Sequence, residues 1–489
     1  MADVMPVPMR TDVLMICAHE PSLDPRIRWE AEAAARRFDV TVLGFNRDDG
    51  PEPERDSGSV YQIVRLVRPA VSAAYFFWRL RDVLPLPMYI PLAALALLLA
   101  PVLLLAEIGG RSLRMIVRRP RISVFLQRSR LSSAIGWARR RLPMRLEYIL
   151  AVLRAQFSPA ASAFWNCLRE MPRKPAAVHC NDLDTLLVGV LAKRYYGCRL
   201  VYDAHEFYPV SDPHGNWLDI TFFSLIERLL IRHADAVVTV NPMLGEAMRA
   251  AYRLERVYSV PNAEPWTGEC PEPDAGSQME RLANGRVKFL FQGRFTPARG
   301  IDELIEGWAA VDGERAALFL RGPDNMWREA AIEKATQLGL LGRSVYFLDA
   351  VREDELVAAA AEADIGVIPY KPLILNDRLS CPNKLSQYLH AGLMVLANDL
   401  PYVKSVLSEA GAGLFYTSAD LPTLVAAVNE ILDDPVLLRR GRENARRFAR
   451  ECFNWQVQGE VLLALYQGAD AAQPEPAMPA HVASHAPAA

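Results

Sequence analysis

Apolar runs of strand length alternate with amphipathic helical stretches along both halves of the chain. Residues 13–18 form a continuous apolar run, a polar loop and the helical pattern 26–38 follow, and a second apolar run covers 40–45. Strand, helix and strand within about thirty residues mark a βαβ unit with parallel pairing. The pattern predicts further strands at 63–67, from Val178 onward, at 200–203 and at 236–240, with helices at 184–196 and 222–233. Together these predict one open α/β sheet. Past Pro261-Asn262, a stretch with Pro265, Gly268, Pro271, Pro273 and Gly276 predicts an exposed connector up to Val287. The alternation then resumes: strands at 288–292, 317–321, 345–348 and 365–369, helices at 302–310, 326–338 and 354–361. This is a second doubly wound unit. Residues 455–465 predict a last helix, and from Ala469 alanine, proline and histidine dominate, as in a disordered tail. The expected division is 1–265, 286–450, a helix within 451–468 and a tail at 469–489.

One segment does not fit the alternation. Between the strands at 63–67 and Val178 lies an insertion at about 70–170, and within it residues 83–106 are 24 positions without a charge. That is long enough to span a bilayer, which takes about 20 residues, although Pro85, Pro87, Pro91 and Pro101 interrupt it. Residues 111–145 then carry eleven arginines, with only Glu107 and Glu147 as acids nearby. A basic flank beside an apolar segment suits an anionic membrane surface. The strands on either side belong to one sheet, so the segment is expected to re-enter, to cross twice or to lie in the interface. A helical hairpin buried against protein is the competing reading.

Composition narrows the class. With 489 residues, 51% of them apolar and 9 tryptophans, the chain has material for two or more large cores. Fifty-five basic against 57 acidic side chains give no sign of a nucleic-acid binder. The seven cysteines are scattered, without a C-x-x-C pair or a histidine at metal spacing, which fits a reducing compartment. The first twenty residues lack the basic start and long apolar core of a secretory signal, so a cytoplasmic location is expected.

Three places carry candidate chemistry. The strand at 288–292 runs into Gly293-Arg294-Phe295, and Arg299-Gly300 follows at a helix start. Two guanidinium groups thus lie at the carboxyl end of a strand, where open α/β sheets bind ligands, and arginine forks onto phosphate oxygens. Taken alone, solvated loop arginines are the commoner outcome. Next, Pro382 suits the first turn of a helix that Gly392 ends; its amide end attracts phosphate. Within it Lys384 adds a charge and Gln387 a donor and acceptor for hydroxyls, against the plain alternative of a capped helix with a surface lysine. Finally, the strand at 200–203 empties into Ala204-His205-Glu206, where an imidazole beside acids binds a hydroxyl or relays a proton, or is merely structural.

In their order and spacing, Tyr202-Asp203-Ala204-His205-Glu206, Pro261-Asn262, Gly293-Arg294 with Arg299-Gly300, Ile368-Pro369-Tyr370 and Pro382-Asn383-Lys384 through Ala391-Gly392 resemble glycosyltransferase family 4. The resemblance covers most of the chain except the insertion and tail. It implies the GT-B fold, two Rossmann-like domains facing across a cleft, here with a helical apolar and basic insertion in the first. It implies a retaining enzyme whose UDP- or GDP-linked donor is held mainly by the second domain through Gly293, Asn383, Lys384, Gln387 and Asp377. His205, Arg294 and Arg299 would be catalytic, the two arginines standing in for the metal ion of other glycosyltransferases, with no cofactor. Asp24, Arg26 and Glu206 would face the acceptor. The family often carries two glutamates eight positions apart; the corresponding positions here are Leu379 and Gln387, and Asp377 is the candidate replacement. The resulting expectation is transfer of a sugar to a lipid-linked or surface saccharide at the cytoplasmic membrane face, with a nucleotide-sugar epimerase and a catalytically silent scaffold as alternatives.

Overall fold

The computed structural model describes residues 12–46, 54–56, 60–66, 164–165, 167–169, 174–210, 217–268, 271 and 276–468. The insertion, apart from residues 164–165 and 167–169, and the expected tail at 469–489 lie outside these described residues. By its contacts the chain divides into two units, Met1–Leu23 with Phe38–Leu200, and Asp24–Arg37 with Val201–Ala489.

The first unit contains β1 (Asp12–Ile16), while the second claims α1 (Pro25–Ala35); β2 (Asp39–Phe45), β3 (Glu54–Asp56), β4 (Gln62–Leu66), β5 (Ala177–Asn181) and α2 (Leu183–Tyr196) return to the first. Its strands lie in the order β3-β4-β2-β1-β5, parallel except for β3 against β4. The central strands are buried on both faces: Val13 to Ile16 form an apolar run, and all of β5 is buried, His179 and Asn181 included. Gly44 is required beside Pro21, into whose ring a Cβ would run. Gly197, at φ +63, ends α2 with its N–H on the Lys193 carbonyl.

The second unit continues with β6 (Arg199–Ala204), α3 (Trp217–Ile231), β7 (Ala236–Thr239), α4 (Pro242–Tyr252) and β8 (Tyr258–Ser259), with β6, β7 and β8 parallel. Next come α5 (Gln278–Ala283), β9 (Val287–Gln292), α6 (Ile301–Trp308), β10 (Ala316–Arg321), α7 (Met326–Gln337), β11 (Val345–Leu348), α8 (Leu356–Ala360), β12 (Ile365–Ile368) and α9 (Leu375–Arg378). The chain then runs through α10 (Asn383–His390), β13 (Met394–Asn398), α11 (Pro401–Ala410), β14 (Gly413–Tyr416), α12 (Leu421–Asp433), α13 (Pro435–Glu451) and α14 (Trp455–Gln467). The second sheet has the order β11-β10-β9-β12-β13-β14, all parallel. Its order reverses at β9 and β12, and that reversal opens a crevice at their carboxyl ends. The core beneath is aromatic, with Trp308 edge-on to Phe289 at 5.1 Å and Phe291 against Phe295 at 5.9 Å.

The α/β alternation is as the apolar pattern predicts. The stretch read as an exposed connector instead contains α5, capped by Ser277, which accepts the Glu280 N–H at 3.1 Å, with Met279 and Ala283 buried. A six-residue helix is too short for a periodic signal. Among the described residues no helix is long and apolar enough to cross a membrane.

Candidate active site

Everything that follows lies in the second unit. The neighbouring strands β9 and β12 deliver two loops side by side, Gln292-Gly293-Arg294 and Ile368-Pro369-Tyr370. The first loop turns through Pro297–Arg299 and reaches α6 by Gly300, at φ +65. A side chain at Gly300 would collide with the Pro369 carbonyl oxygen, so the two loops touch only because this residue is glycine. The Lys371 N–H donates to the Ala298 carbonyl at 2.9 Å and locks the contact. Gly300→Ala is expected to cost about 1–2 kcal/mol for the left-handed backbone alone, and more for the collision. A thermal-unfolding midpoint matching that of the parent would contradict it.

Across these loops, Arg299 stacks its guanidinium 3.9 Å from the centre of the Tyr370 ring. Lys384, in the first turn of α10, is buried and donates to the Tyr370 hydroxyl at 2.8 Å. Its ammonium also lies 5.1 Å from the Phe291 ring centre. Gly293, at φ +133, leaves the room: a Cβ there would sit 2.5 Å from the Lys384 Nζ. Burial pushes the Lys384 pKa down, with the nearby Arg299 adding to this and Tyr370 opposing. Burial raises the Tyr370 phenol, but the Lys384 and Arg299 cations outweigh it and draw the phenol below its ordinary value. Asp377, on α9, completes the cluster; burial raises its carboxyl, against the Ile374 N–H and the Arg299 charge.

A second cluster gathers around β6. His205 holds its Nε2 3.5 Å from the Asp203 carboxylate. The loop beyond it is clamped to α9: the Phe207 N–H donates to the Asn376 Oδ1 at 2.8 Å, and the Asn376 amide returns a bond to the Phe207 carbonyl at 3.1 Å. His205 and Glu206, both half-buried, therefore belong to a loop fastened to the helix that carries Asp377. Two further asparagine amides hold the next residues, Asn241 on the Leu379 carbonyl at 2.6 Å and Asn262 on the Cys381 carbonyl at 3.2 Å.

The structure thus unites Gly293, Arg299, Lys384 and Asp377, and joins to them the His205 and Glu206 loop. Arg294 is exposed beside Gly293, and Asn383 opens α10 half-buried. Gln387 is buried on the same helix and accepts from the Gln292 amide at 3.3 Å. Asp24 caps α1 by accepting the Arg26 N–H at 2.9 Å. Arg26 corrects the sequence reading. Expected to face an acceptor, it is 3% exposed and turned inward, bonded through Nε and Nη2 to Asp203 and through Nη1 to the Val260 carbonyl and Asn262. Glu30 adds an ion pair at 3.1 Å. Glu30, Asp203 and His205 have the spacing of metal ligands, but the Arg26 guanidinium already hydrogen-bonds Asp203 and forms an ion pair with Glu30. Tyr370, read from the sequence only within the Ile368-Pro369-Tyr370 stretch, and Asn376 were not expected in the site; the signal for both was their place beside Pro369 and Asp377.

Two family models match the chain, "Glycosyl transferase 4-like domain" over residues 135–263 and "Glycosyl transferases group 1" over 286–434, together more than half of it. The chain belongs to the family 4-type glycosyltransferases. Among curated proteins this glycosyltransferase is similar to the glycogen synthase of Mycobacterium tuberculosis, 21% identical over 63% of this chain and 72% of that one. It is also similar to the alpha-maltose-1-phosphate synthase of Mycolicibacterium smegmatis, 25% identical over 59% and 78%. Among solved structures it resembles sucrose-phosphate synthase from Thermosynechococcus elongatus, with a TM-score of 0.63 and 15% identity over 94% of this chain and 99% of the other. At that identity the likeness establishes the fold, the α/β two-domain GT-B arrangement.

Proposed function

We propose that this glycosyltransferase moves a sugar, with retention, from a UDP- or GDP-linked donor to a lipid-linked or surface saccharide at the cytoplasmic face of the membrane. The observation that carries the donor half is the meeting of Arg299, Lys384 and Gly293 at the crevice between β9 and β12. Two cations near one phenol suit an anion with several oxygens. A diphosphate leaving group matches that charge without a metal ion. Retention follows if the acceptor hydroxyl attacks from the side the phosphate leaves. The new C1–O bond forms as the C1–O–phosphate bond breaks, and the acceptor proton passes to the departing phosphate oxygen. To His205, 3.5 Å from the Asp203 carboxylate, this reading gives the role of bonding a hydroxyl of the transferred sugar. The acceptor and location rest on the uncharged residues 83–106 and the arginine-rich 111–145.

The test is transfer from a panel of UDP and GDP sugars, with membrane lipid extracts as acceptor and the product anomer read by NMR. Inverted product, or transfer indifferent to removing the lipids, would refute the corresponding part. Arg299→Ala is expected to lower turnover by roughly 10- to 100-fold, the worth of a charge-assisted phosphate contact. Arg294→Ala should act more weakly, because its side chain is exposed. Equal rates for both variants and the parent would remove the diphosphate site.

A further inference from the structure

Glu264 follows the Pro261-Asn262 pair and lies against α10. Its backbone N–H donates to the Ser386 Oγ at 2.6 Å, and its carboxylate accepts a hydrogen bond from the Gln387 side chain. The Gln387 amide is in turn fixed from behind: its Oε1 accepts from the Gln292 Nε2, which also bonds the Leu356 carbonyl at 3.0 Å. The amide nitrogen of Gln387 is therefore committed towards Glu264, and the pair acts as one unit. Gln387 follows Lys384 by three residues, less than one turn and about 5 Å along the helix. The Glu264 carboxylate is thus joined to the helix that carries the ammonium of the proposed diphosphate site, and Glu264 is half-buried.

We propose that Glu264 belongs to the donor site as the acceptor for a vicinal hydroxyl pair of the nucleotide sugar. It supplies from residues 261–266 the carboxylate that α10 lacks at Gln387. This rests on the reading of Arg299 and Lys384 as the diphosphate anchor. The chemistry favours it: a carboxylate offers two charged acceptor oxygens to a diol, whereas the Gln387 amide oxygen is already engaged by Gln292. The diol belongs either to the pentose or to the transferred sugar.

The charge on Glu264 is finely balanced. Burial pushes its carboxyl up to about 7, against the Gln387 hydrogen bond and the Arg28 charge, with Glu353 pushing the same way as burial. The groups that face it are Arg28 from α1, Glu353 from the turn Glu353–Glu355, and Ser386 and Gln387 from α10. Arg28 and Glu353 are themselves 3.8 Å apart, and burial raises Glu353 as well. Hydroxyls donate to the ionised form, so donor affinity should rise as pH climbs through neutrality.

The experiment is calorimetric binding of UDP, GDP, their 2′-deoxy forms, UDP-glucose and GDP-mannose to the full chain and to Glu264→Gln and Glu264→Asp, at pH 6, 7 and 8. The ratio of Glu264→Gln to parental Kd, which cancels titration of a terminal phosphate, is expected to rise about tenfold between pH 6 and 8. Glu264→Asp should keep the trend. Loss of the rise with the 2′-deoxy nucleotides assigns the diol to the pentose; a rise confined to the nucleotide sugars assigns it to the transferred sugar. A ratio that stays flat while nucleotides bind overturns the role of Glu264 alone, as does a lowered melting temperature in Glu264→Gln with the same pH profile as the parent. Absence of any nucleotide binding at every pH overturns the diphosphate reading and this one with it.

Discussion

Replacing Arg26 with methionine is expected to lower the free energy of unfolding by about 3–5 kcal/mol, the usual result of removing one partner from a buried ion pair. The guanidinium lies between two carboxylates, Asp203 and Glu30, that are themselves fully buried. Burial would depress the arginine, yet the charges of Asp203 and Glu30 and the Asp203 hydrogen bonds lift its pKa above the ordinary value, so it stays a cation at every working pH. Its Nη1 also bonds the Val260 carbonyl at 2.7 Å, and the Trp455 ring lies 5.8 Å from its carbon centre. One side chain thereby ties α1, the end of β6, the segment after β8 and α14. Methionine fills the space but takes the Arg26 charge away from both carboxylates, which raises their folded-state pKa values. The deficit should then be greatest above pH 7 and shrink as pH falls and the carboxyls take up protons. Urea unfolding of Arg26→Met, with Arg26→Met plus Asp203→Asn as a partial rescue, checks this. A loss under about 1 kcal/mol would mean the cluster is solvated.

That same residue shows where sequence reading reaches its limit. An arginine next to a helix cap reads as exposed because charged side chains are mostly exposed, and its partner Asp203 stands 177 positions away. Nothing local announces such a pair. Strands β1 and β12 were legible for the opposite reason: they are covered on both faces, so burial is written into Val13 to Ile16 and Ile365 to Ile368 as short runs without a polar side chain. Gly293 and Gly300 were legible as punctuation at a strand end, although the close neighbours that require them, Lys384 and Pro369, are contributed by segments far along the chain. Gln387 was legible as a donor and acceptor for hydroxyls on the helix after Pro382, but its engagement by Gln292 and Glu264 depends on the register of α10 against β9. The apolar and basic insertion lies outside the described residues, so its expected membrane contact stays a reading of composition.

Replacing Lys384 with methionine is expected to lower kcat/KM by about 10²–10³-fold, the effect of removing one preorganised donor from a site where charge develops, while leaving the fold as stable as before or slightly more so. The two halves of this expectation have one cause. The ammonium is buried, donates to the Tyr370 hydroxyl and shares its surroundings with Arg299, so burial and like charge both act against it. Methionine has nearly the same length, packs against Phe291 and relieves that cost; replacing a buried charge by an apolar isostere is often neutral or stabilising. What it removes is the response to an arriving anion. Two neighbouring cations repel each other, and a bound diphosphate would draw them together, so part of its binding energy would come from ending that repulsion. Arginine should substitute poorly, because a planar guanidinium is wider than the ammonium that takes the room left by Gly293. Melting temperature and turnover measured on Lys384→Met and Lys384→Arg decide the matter. Full turnover in Lys384→Met would show that the lysine is a core residue with an accidental charge, and a large fall in its melting temperature would show that the Tyr370 bond, and not the ligand, is what keeps it there.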